Sequence, residues 1–355
     1  MKIRSIDVRG VKVPMAEPHY TASGVIAVSP LVLIRLETDQ GVTGQAVLFA
    51  YTEIALKSLA EMVRGLAPLL EGQELAPITL TDQLLAKVRL LGAQGPTAMA
   101  IAGLDMAMWD ALAQSAERPL FALLGAAAKP IKPYGAVGFE GEVGSARTAE
   151  ALAKKGFQGV KAKIGYPTVA EDLAVIRAMR SAVGPDVAVM VDYNQSLDAT
   201  EAARRLGTLA NEDLVWIEEP VPAHDFAGLA GLRGGGVALQ AGENWWGPPE
   251  FKLAVDVGAT ELWMPDVMKC HGITGWMRVA GLAAAMGIPI SNHLWSELSA
   301  QMMCAAPTSS WLEYCDWWNP ILEDPLRMLD GLVDFDQVTA TGVRFDETAV
   351  GKYLM

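Results

Sequence analysis

Three acidic residues, Asp192, Glu218 and Glu243, each end a short apolar run of the kind that forms a buried strand. If these strand ends meet, the three carboxylates repel one another unless a positive partner lies among them. Hard oxygen ligands suit a divalent cation, so the pattern predicts a Mg²⁺ site. The alternative is that each is an ordinary solvated acid at the start of a loop. Alternation along a strand predicts that Glu219 points elsewhere.

Two lysines, Lys161 and Lys163, lie two positions apart on the preceding strand and therefore share one face. They could be a pair of surface lysines. Their apolar neighbours favour the interior of the sheet instead, where lysines are rare. Two neighbouring cations lower each other's pKa, so we expect Lys163 to act as a neutral base near pH 7 and Lys161 to hold an anionic substrate group.

His293 and Asp266 end two further strand-like runs, and adjacent strands would allow them to form a hydrogen-bonded pair. Such a carboxylate fixes the imidazole tautomer and raises its basicity. The remaining histidines lack this context, and His224 and His271 are predicted to lie in loops or behind the site. A zinc hydrolase barrel needs clustered histidines, and the sequence has no His-x-His pair.

From about residue 130 the chain alternates short apolar runs with amphipathic helical stretches, which is typical of repeated βα units. A closed βα barrel brings the carboxyl ends of its strands to one face, so residues far apart in sequence converge there. The polar residues that end these runs are 20 to 29 residues apart, enough for one strand and one helix. Eight strands are predicted: 131–137, 159–164, 187–193, 214–219, 237–243, 261–266, 288–293 and 311–314.

The first 125 residues have a different pattern. Strands are predicted at Lys2–Pro14 and Leu31–Thr38, and the turn Asp39-Gln40-Gly41 leads into a third at Val42–Ala50. A helix is predicted over Met99–Leu112. We therefore expect an α/β protein in which an α+β cap, residues 1–125, precedes a TIM-like (β/α)8-type barrel, residues 126–330.

Composition narrows the function classes. The 355 residues include 51% hydrophobic and 19% charged residues, which argues against disorder. A net charge of −13 makes nucleic-acid binding unfavourable. No apolar segment is long enough to cross a membrane, and the start of the chain reads as a strand rather than a signal peptide. Three cysteines without CxxC spacing suit reduced thiols, and we expect a cytoplasmic protein.

An ordered set of motifs resembles the enolase superfamily, specifically its mandelate racemase subgroup. The resemblance covers essentially the whole chain, and its motifs are FAYTEIALKSL (49–59), AGLDMAMWDAL (102–112), VKAKIGYP (160–167), VMVDYNQSLD (189–198), WIEEP (216–220), GENWWGP (242–248), MPDVMKCHGITGW (264–276), SNHLWSE (291–297) and WLEYCD (311–316). It implies a modified (β/α)7β barrel, a tail of about 330–355 that returns to the cap, and a homo-oligomer.

The resemblance also implies site roles. Asp192, Glu218 and Glu243 would bind Mg²⁺. Lys163 would be the base on one face of the substrate, and His293, oriented by Asp266, the acid/base on the other.

The implied contacts to the substrate itself come from three further residues. Glu313 would donate a hydrogen bond to the substrate carboxylate, with help from Lys161, and Asn194 would reach the α-hydroxyl. The substrate is then a small carboxylate.

The implied reaction is removal of a proton α to a carboxylate, with an enediolate stabilised by the metal. With bases on two faces, this gives a racemase or epimerase of a mandelate-like 2-hydroxy acid. An acid-sugar dehydratase on the same site is the alternative, because His293 could protonate a leaving β-hydroxyl. A muconate-type cycloisomerase is less favoured because that branch lacks the histidine–aspartate pair. A non-catalytic binding protein is also possible, although every principal site residue is present.

Departures from the family pattern bear on the substrate. Ala136 stands where the family has a serine that contacts the substrate carboxylate, and His19 and Ile26 replace two valines of the cap. We therefore expect a side chain different from that of mandelate, bulkier or more polar. The residues predicted to surround it are Tyr51, His19, Ile26, Ala136, Trp295 and Trp317.

Overall fold

The amino-terminal part of the chain forms a three-stranded antiparallel sheet in the computed structural model, which describes residues 1–21 and 24–354. Its strands are β1 (Ile3–Thr21), β2 (Gly24–Thr38) and β3 (Thr43–Phe49). The predicted turn at 39–41 joins β2 to β3. β1 continues beyond the predicted end at Pro14, and its pairing shifts register between Pro14 and His19. An edge strand tolerates a proline because its outer N–H groups need no partner strand.

Among the described residues, the α-helices of the cap are α1 (Glu53–Leu66), α2 (Pro77–Lys87), α3 (Gly95–Ser115) and α4 (Leu120–Leu123). α3 is longer than the predicted helix and is buried on nearly all sides, because it packs between the cap sheet and the barrel. Its approach to β3 is close. A Cβ at Gly44 would lie 2.0 Å from the carbonyl oxygen of Ala107, so only glycine fits there.

The barrel is built on a seven-stranded parallel sheet whose order is β10, β4, β5, β6, β7, β8 and β9. The chain-order bounds are β4 (Lys132–Val137), β5 (Gly159–Lys163), β6 (Ala188–Asp192), β7 (Ile217–Glu218), β8 (Leu239–Ala241), β9 (Leu262–Trp263) and β10 (Trp311–Tyr314). The intervening helices are α5 (Gly141–Lys154), α6 (Val169–Val183), α7 (Ala199–Leu209), α8 (Phe226–Leu232), α9 (Gly247–Val257), α10 (Gly272–Met286) and α11 (Ser296–Ala305).

The predicted strand at 288–293 is not a regular strand. It is joined to its neighbours only by isolated bridges, from Ile290 to Trp263 and Ser309 and from His293 to Asp266. On the facing segment, Pro265 lies between the bridged residues Trp263 and Asp266 and has no N–H to donate, which interrupts the hydrogen-bond ladder between the two bridges. The segment still fills the gap between β9 and β10, so the prediction of an α/β TIM-like barrel with an amino-terminal cap is confirmed.

The end of the chain packs on the barrel through Val333, beside β4, and on the cap through its last helix. It contains β11 (Arg327–Leu329), β12 (Leu332–Asp334) and α12 (Glu347–Tyr353). Glu347 accepts a hydrogen bond of 2.6 Å from Arg9, and the backbone N–H of Phe345 donates to Gln45 Oε1 at 2.8 Å. The division into domains at 1–125 and 126–330 stays a prediction.

Two buried aspartates of α3 join the cap to the rest of the molecule. Asp105 accepts hydrogen bonds from the hydroxyls of Thr81 at 2.6 Å and Thr274 at 2.5 Å, and Thr274 lies in the first turn of the barrel helix α10. Asp110 accepts from the hydroxyl of Thr341 at 2.5 Å. Burial raises the pKa of each aspartate to about 6, against the opposing effect of these hydrogen bonds.

The three cysteines, Cys270, Cys304 and Cys315, are buried and free. Within residues 1–21 and 24–354, none of the helices combines the length and apolar character needed to cross a bilayer.

Candidate active site

The three predicted carboxylates meet at the carboxyl ends of neighbouring strands. Asp192 ends β6, Glu218 ends β7 and Glu243 follows β8 by two residues. One oxygen from each lies within 4.8 Å of the others, and all three side chains are buried. Glu243 Oε2 is buried without a hydrogen-bond partner among the described residues. Three converging oxygens with an unsatisfied lone pair fit a hard divalent cation such as Mg²⁺.

Crowding of these acids changes their protonation. Burial raises the pKa of Glu218 well above its usual range, and Asp192 and Glu243 add to this effect. Burial also disfavours the charged form of Asp192, but Lys163 and Lys161 outweigh burial and lower its pKa. The three carboxylates therefore disfavour one another's ionisation, and a bound cation would offset this repulsion.

Both predicted lysines point into the barrel interior. Lys161 is fully buried, and its Nζ donates to Glu218 at 2.8 Å and lies 2.7 Å from Glu313 Oε1. Lys163 donates to Asp192. We expected Lys161 to lower the pKa of Lys163, but with the charges of the protein's own side chains that expectation is wrong. Burial and Lys161 do lower the pKa of Lys163, but Asp192 outweighs them and the pKa is raised.

His293 and Asp266 form the expected pair, with 2.7 Å between His293 Nδ1 and Asp266 Oδ2. The other ring nitrogen, Nε2, lies 3.4 Å from Glu243 Oε2. Burial lowers the pKa of His293, but Glu243 and Asp266 outweigh burial and raise it. Asp266 is itself held by the backbone N–H groups of Met268 at 2.7 Å and Lys269 at 3.1 Å.

Glu313, on β10, faces the lysine side of the mouth. Its Oε2 accepts a hydrogen bond of 2.9 Å from the backbone N–H of Leu294. The resemblance implies that Glu313 is a protonated donor, but the neighbouring groups favour the ionised form. Burial raises its pKa, yet Lys161, His293 and Lys163 outweigh burial and lower it to about 2.

Asn194 lies next to Asp192 and forms hydrogen bonds with its carboxylate. Its backbone N–H donates to Asp192 at 2.6 Å and its side-chain Nδ2 at 3.0 Å. The other side-chain atom, Oδ1, is buried and has no hydrogen-bond partner among the described residues. Asn194 therefore offers a free acceptor beside the carboxylate cluster.

The part of the β1–β2 hairpin that contains His19 and Tyr20 lies at the mouth. Tyr20 accepts a backbone hydrogen bond of 2.8 Å from Phe139 of the barrel, and His19 pairs with Ile26 across the hairpin. The ring of His19 lies 5.2 Å from that of Trp317. Burial lowers the pKa of His19 to about 4, and Lys163 adds to this effect, so His19 is neutral at neutral pH.

The other residues predicted to contact the substrate differ in where they lie. Ala136 is half-buried and pairs with Lys161 on the neighbouring strand, which places it at the mouth. Tyr51 reaches Asp266 from the cap, with 3.1 Å between its phenol oxygen and Asp266 Oδ2. Trp295 is only 1% exposed: its indole N–H donates to the Val47 carbonyl oxygen. That position makes Trp295 a packing residue between cap and barrel rather than part of the open mouth.

Three residues behind the site were not anticipated. Glu219 has a left-handed backbone (φ 38°), so simple strand alternation does not apply and its buried carboxylate stays beside Glu243. Asn244 donates to both of these carboxylates, and Lys269 donates to Asn244. Burial raises the pKa of Glu219, Glu243 adds to this effect and Lys269 opposes it. The sequence signals were only the second glutamate of WIEEP and a lysine three positions after Asp266.

The fold is that of the enolase superfamily. Residues 3–125 match the family model described as "Mandelate racemase / muconate lactonizing enzyme, N-terminal domain", and residues 144–349 match the model described as "Enolase C-terminal domain-like". The chain belongs to the mandelate racemase/muconate lactonizing enzyme family, which confirms the resemblance drawn from its motifs, and it is an enzyme of that superfamily.

Individual relatives have differing activities. An enolase from Bradyrhizobium in complex with magnesium and mandelic acid is 46% identical, with a TM-score of 0.95 over 100% of this chain and 98% of that one. The L-talarate/galactarate dehydratase of Salmonella typhimurium is 30% identical over 73% of this chain and 66% of its own length. The D-galactarolactone cycloisomerase of Agrobacterium fabrum is 27% identical over 100% of this chain and 99% of its own. The magnesium of the Bradyrhizobium structure and the carboxylate cluster together confirm the predicted Mg²⁺ cofactor.

Proposed function

We propose that this protein is a Mg²⁺-dependent racemase or epimerase of a 2-hydroxy carboxylate. The observation that carries the proposal is the placement of two acid/base side chains against different members of one carboxylate cluster. Lys163 donates to Asp192, and His293 Nε2 lies 3.4 Å from Glu243 Oε2. A carboxylate substrate bound at this cluster would have one of these groups near each face of its α-carbon.

Asp192, Glu218 and Glu243 would hold the cation, since their oxygens converge and Glu243 Oε2 has no hydrogen-bond partner among the described residues. When bound, Mg²⁺ supplies positive charge that stabilises the negative charge developing on the substrate carboxylate. Lys161 adds a buried positive charge on the same side, and its pKa is raised well above the usual range because Glu218 and Glu313 outweigh burial. It therefore remains a cation that can stabilise the same developing charge.

Proton transfer is assigned to Lys163 and His293. The pKa of Lys163 depends on Asp192, because burial and Lys161 both lower it. If Asp192 also holds a cation, its charge stabilises the Lys163 ammonium less. The pKa of Lys163 then falls, toward the neutral form that a base needs. His293 is oriented by Asp266, which accepts from Nδ1 and leaves Nε2 to take or return the proton. Removal on one face and return on the other inverts the α-carbon.

We infer that the substrate carries a hydroxyl on its α-carbon, because Asn194 provides an acceptor for such a group. Asn194 Oδ1 is buried and unsatisfied among the described residues, and a buried acceptor without a donor costs about 1–3 kcal/mol. A hydroxyl donor from the substrate would remove that cost. Around the substrate side chain we place His19, Ile26, Ala136, Trp317 and the ring of Tyr51, which favours a polar or bulky group.

A second candidate is an acid-sugar dehydratase. Glu243 and Asp266 raise the pKa of His293 against the effect of burial, and an imidazolium can protonate a leaving β-hydroxyl. The similarity to the L-talarate/galactarate dehydratase supports this alternative. A muconate-type cycloisomerase is less favoured because this chain has the His293–Asp266 pair. Assembly as a homo-oligomer and a cytoplasmic location remain predictions.

A screen of 2-hydroxy acids and acid sugars in D₂O with Mg²⁺ separates the candidates. A racemase or epimerase should incorporate deuterium at the α-carbon, which NMR follows, and should abolish optical rotation, which polarimetry follows. A 2-keto-3-deoxy acid would establish the dehydratase instead. Neither exchange nor product with any compound, from protein that binds Mg²⁺, would contradict both.

A further inference from the structure

A buried lysine outside the assigned machinery lies between the metal side and the histidine side of the site. Lys269 is 5% exposed and follows Asp266 by three residues. Its Nζ donates to Asn244 Oδ1 at 2.6 Å and lies 4.8 Å from the centre of the Tyr51 ring and 5.9 Å from that of Trp246. A lysine is rarely buried this deeply unless its charge has a partner.

Lys269 determines which way the Asn244 amide faces. The lysine ammonium has donors only, so it must meet the amide oxygen. The amide nitrogen then faces the two carboxylates, with Nδ2 at 2.8 Å from Glu219 Oε2 and 3.0 Å from Glu243 Oε1. The reverse orientation would put N–H groups against the ammonium and an oxygen against two carboxylates, so it is excluded on both sides.

Charge balance on this side of the cluster also depends on Lys269. Lys161 and Lys163 pair with Asp192, Glu218 and Glu313. Among the described residues, neither Glu219 nor Glu243 has a lysine or arginine within ion-pair distance; Glu243 has only His293. Lys269 lies one amide away from these two buried acids and adds positive charge on this side of the cluster.

We propose that Lys269 is a positioning residue for metal binding: through Asn244 it holds Glu243 with one oxygen engaged and the other, Oε2, free to ligate the cation. This inference rests on the proposed metal role of Asp192, Glu218 and Glu243. Groups that orient metal ligands from behind typically contribute 10- to 100-fold to metal affinity. The same lysine contacts the ring of Tyr51, which reaches Asp266, so the histidine side is fixed relative to the metal side.

The test measures binding of Mn²⁺, a spectroscopic substitute for Mg²⁺, by electron paramagnetic resonance without substrate. Lys269→Met removes the charge with little change in side-chain length and is expected to weaken binding about 10- to 100-fold. Lys252→Met is the matched control, because Lys252 is an exposed lysine on α9 paired with Asp256. Equal Mn²⁺ affinity of Lys269→Met and the parent would overturn the proposal. Failure of the parent to bind Mn²⁺ would instead overturn the metal assignment.

A double-mutant cycle separates positioning from general loosening of the fold. Asn244→Leu should weaken Mn²⁺ binding to a similar extent, and the double variant should be no weaker than the worse single variant, because both changes break one link. Additive losses would contradict action through Asn244. If Lys269→Met does not fold, Asn244→Leu must show at least a 10-fold loss and Lys269→Arg, which keeps the charge, must stay within about threefold of the parent. The opposite order of affinities would overturn the proposal.

Discussion

The phenol of Tyr51, in the cap, donates a 3.1 Å hydrogen bond to the carboxylate of Asp266, in the barrel. The same oxygen, Asp266 Oδ2, lies 2.7 Å from His293 Nδ1. The cap therefore contributes a hydrogen bond directly to the carboxylate that pairs with His293. Tyr51 also has a left-handed backbone (φ 58°), a conformation that costs free energy and persists where the surroundings impose it.

The first prediction concerns this contact. Tyr51→Phe removes a donor that stabilises ionised Asp266, so Asp266 interacts more strongly with the imidazolium and the pKa of His293 rises further. Because His293 must be neutral to abstract a proton, the limb of the pH–rate profile that it controls should move to higher pH, with about a 10-fold loss of rate near neutral pH. The measurement is α-proton exchange against pH, and Tyr353→Phe, on the terminal helix α12, is the control. An unchanged limb would contradict this role for Tyr51.

The second prediction separates the two bases. Lys163→Ala and His293→Asn should each reduce racemisation by at least about 10²-fold, because each removes a group needed for proton removal or return. His293→Asn should still exchange the α-proton of one enantiomer with D₂O through Lys163. The readout is NMR of each pure enantiomer. Exchange of both enantiomers by His293→Asn would refute the assignment of one base to each face.

The third prediction concerns the metal. Treatment with a chelator should abolish activity, and Mg²⁺ should restore it. Mg²⁺ should also raise the melting temperature of the parent, since a ligand at 100 times its dissociation constant stabilises the folded state by about 2.7 kcal/mol. Glu243→Gln should lose most of this increase, whereas Glu150→Gln, at an exposed helix position, should retain it. A Glu243→Gln protein with the full increase would show that Glu243 is not a ligand.

The fourth prediction concerns the buried link between α3 and the barrel. The pKa of Asp105 is raised in the folded state from 3.8 to about 6, so its contribution to stability is fully present below about pH 4 and is lost as the pH rises through 6. The loss is about 3 kcal/mol, from roughly 1.4 kcal/mol per pKa unit. Asp105→Asn cannot ionise.

The measurement for Asp105 is urea unfolding of both proteins at pH 4.5 and pH 7.5. Asp105→Asn should lose less stability than the parent over this interval, whatever its stability at either pH. Asp330→Asn, at an exposed turn, should follow the parent. Parallel pH dependence of Asp105→Asn and the parent would show that the pKa of Asp105 is not raised in the folded protein.

The fifth prediction concerns substrate preference. His19 is neutral and lies beside Trp317 at the mouth, where it can hydrogen-bond a polar substrate side chain. His19→Val should lower kcat/KM for polar 2-hydroxy acids about 10-fold relative to mandelate, because a lost hydrogen bond in a closed site costs on the order of 1.4 kcal/mol. Equal ratios of kcat/KM in the parent and in His19→Val would remove His19 from the substrate contacts.

The sequence alone determined the barrel, the cap and the residues at the strand ends. Apolar runs that end in Asp192, Glu218 and His293 predict parallel strands, and the βα repeat brings their ends to one face. This inference needs only local patterns and a closed topology. The segment at 288–293 shows the limit of this inference, because Pro265 on the facing segment has no N–H to donate and isolated bridges remain where the pattern predicts a strand.

Tertiary structure alone decided which groups lie together behind those strand ends and how they are charged. Glu219 lies beside Glu243, behind the site, because its backbone departs from strand geometry. Lys269 contacts the metal side from a loop whose path no sequence periodicity predicts. The raised pKa of Lys163 and the ionised state of Glu313 reflect distances between residues far apart in the chain. Electrostatic energies depend on those distances and on burial, and both exist only once the barrel and cap have closed on each other.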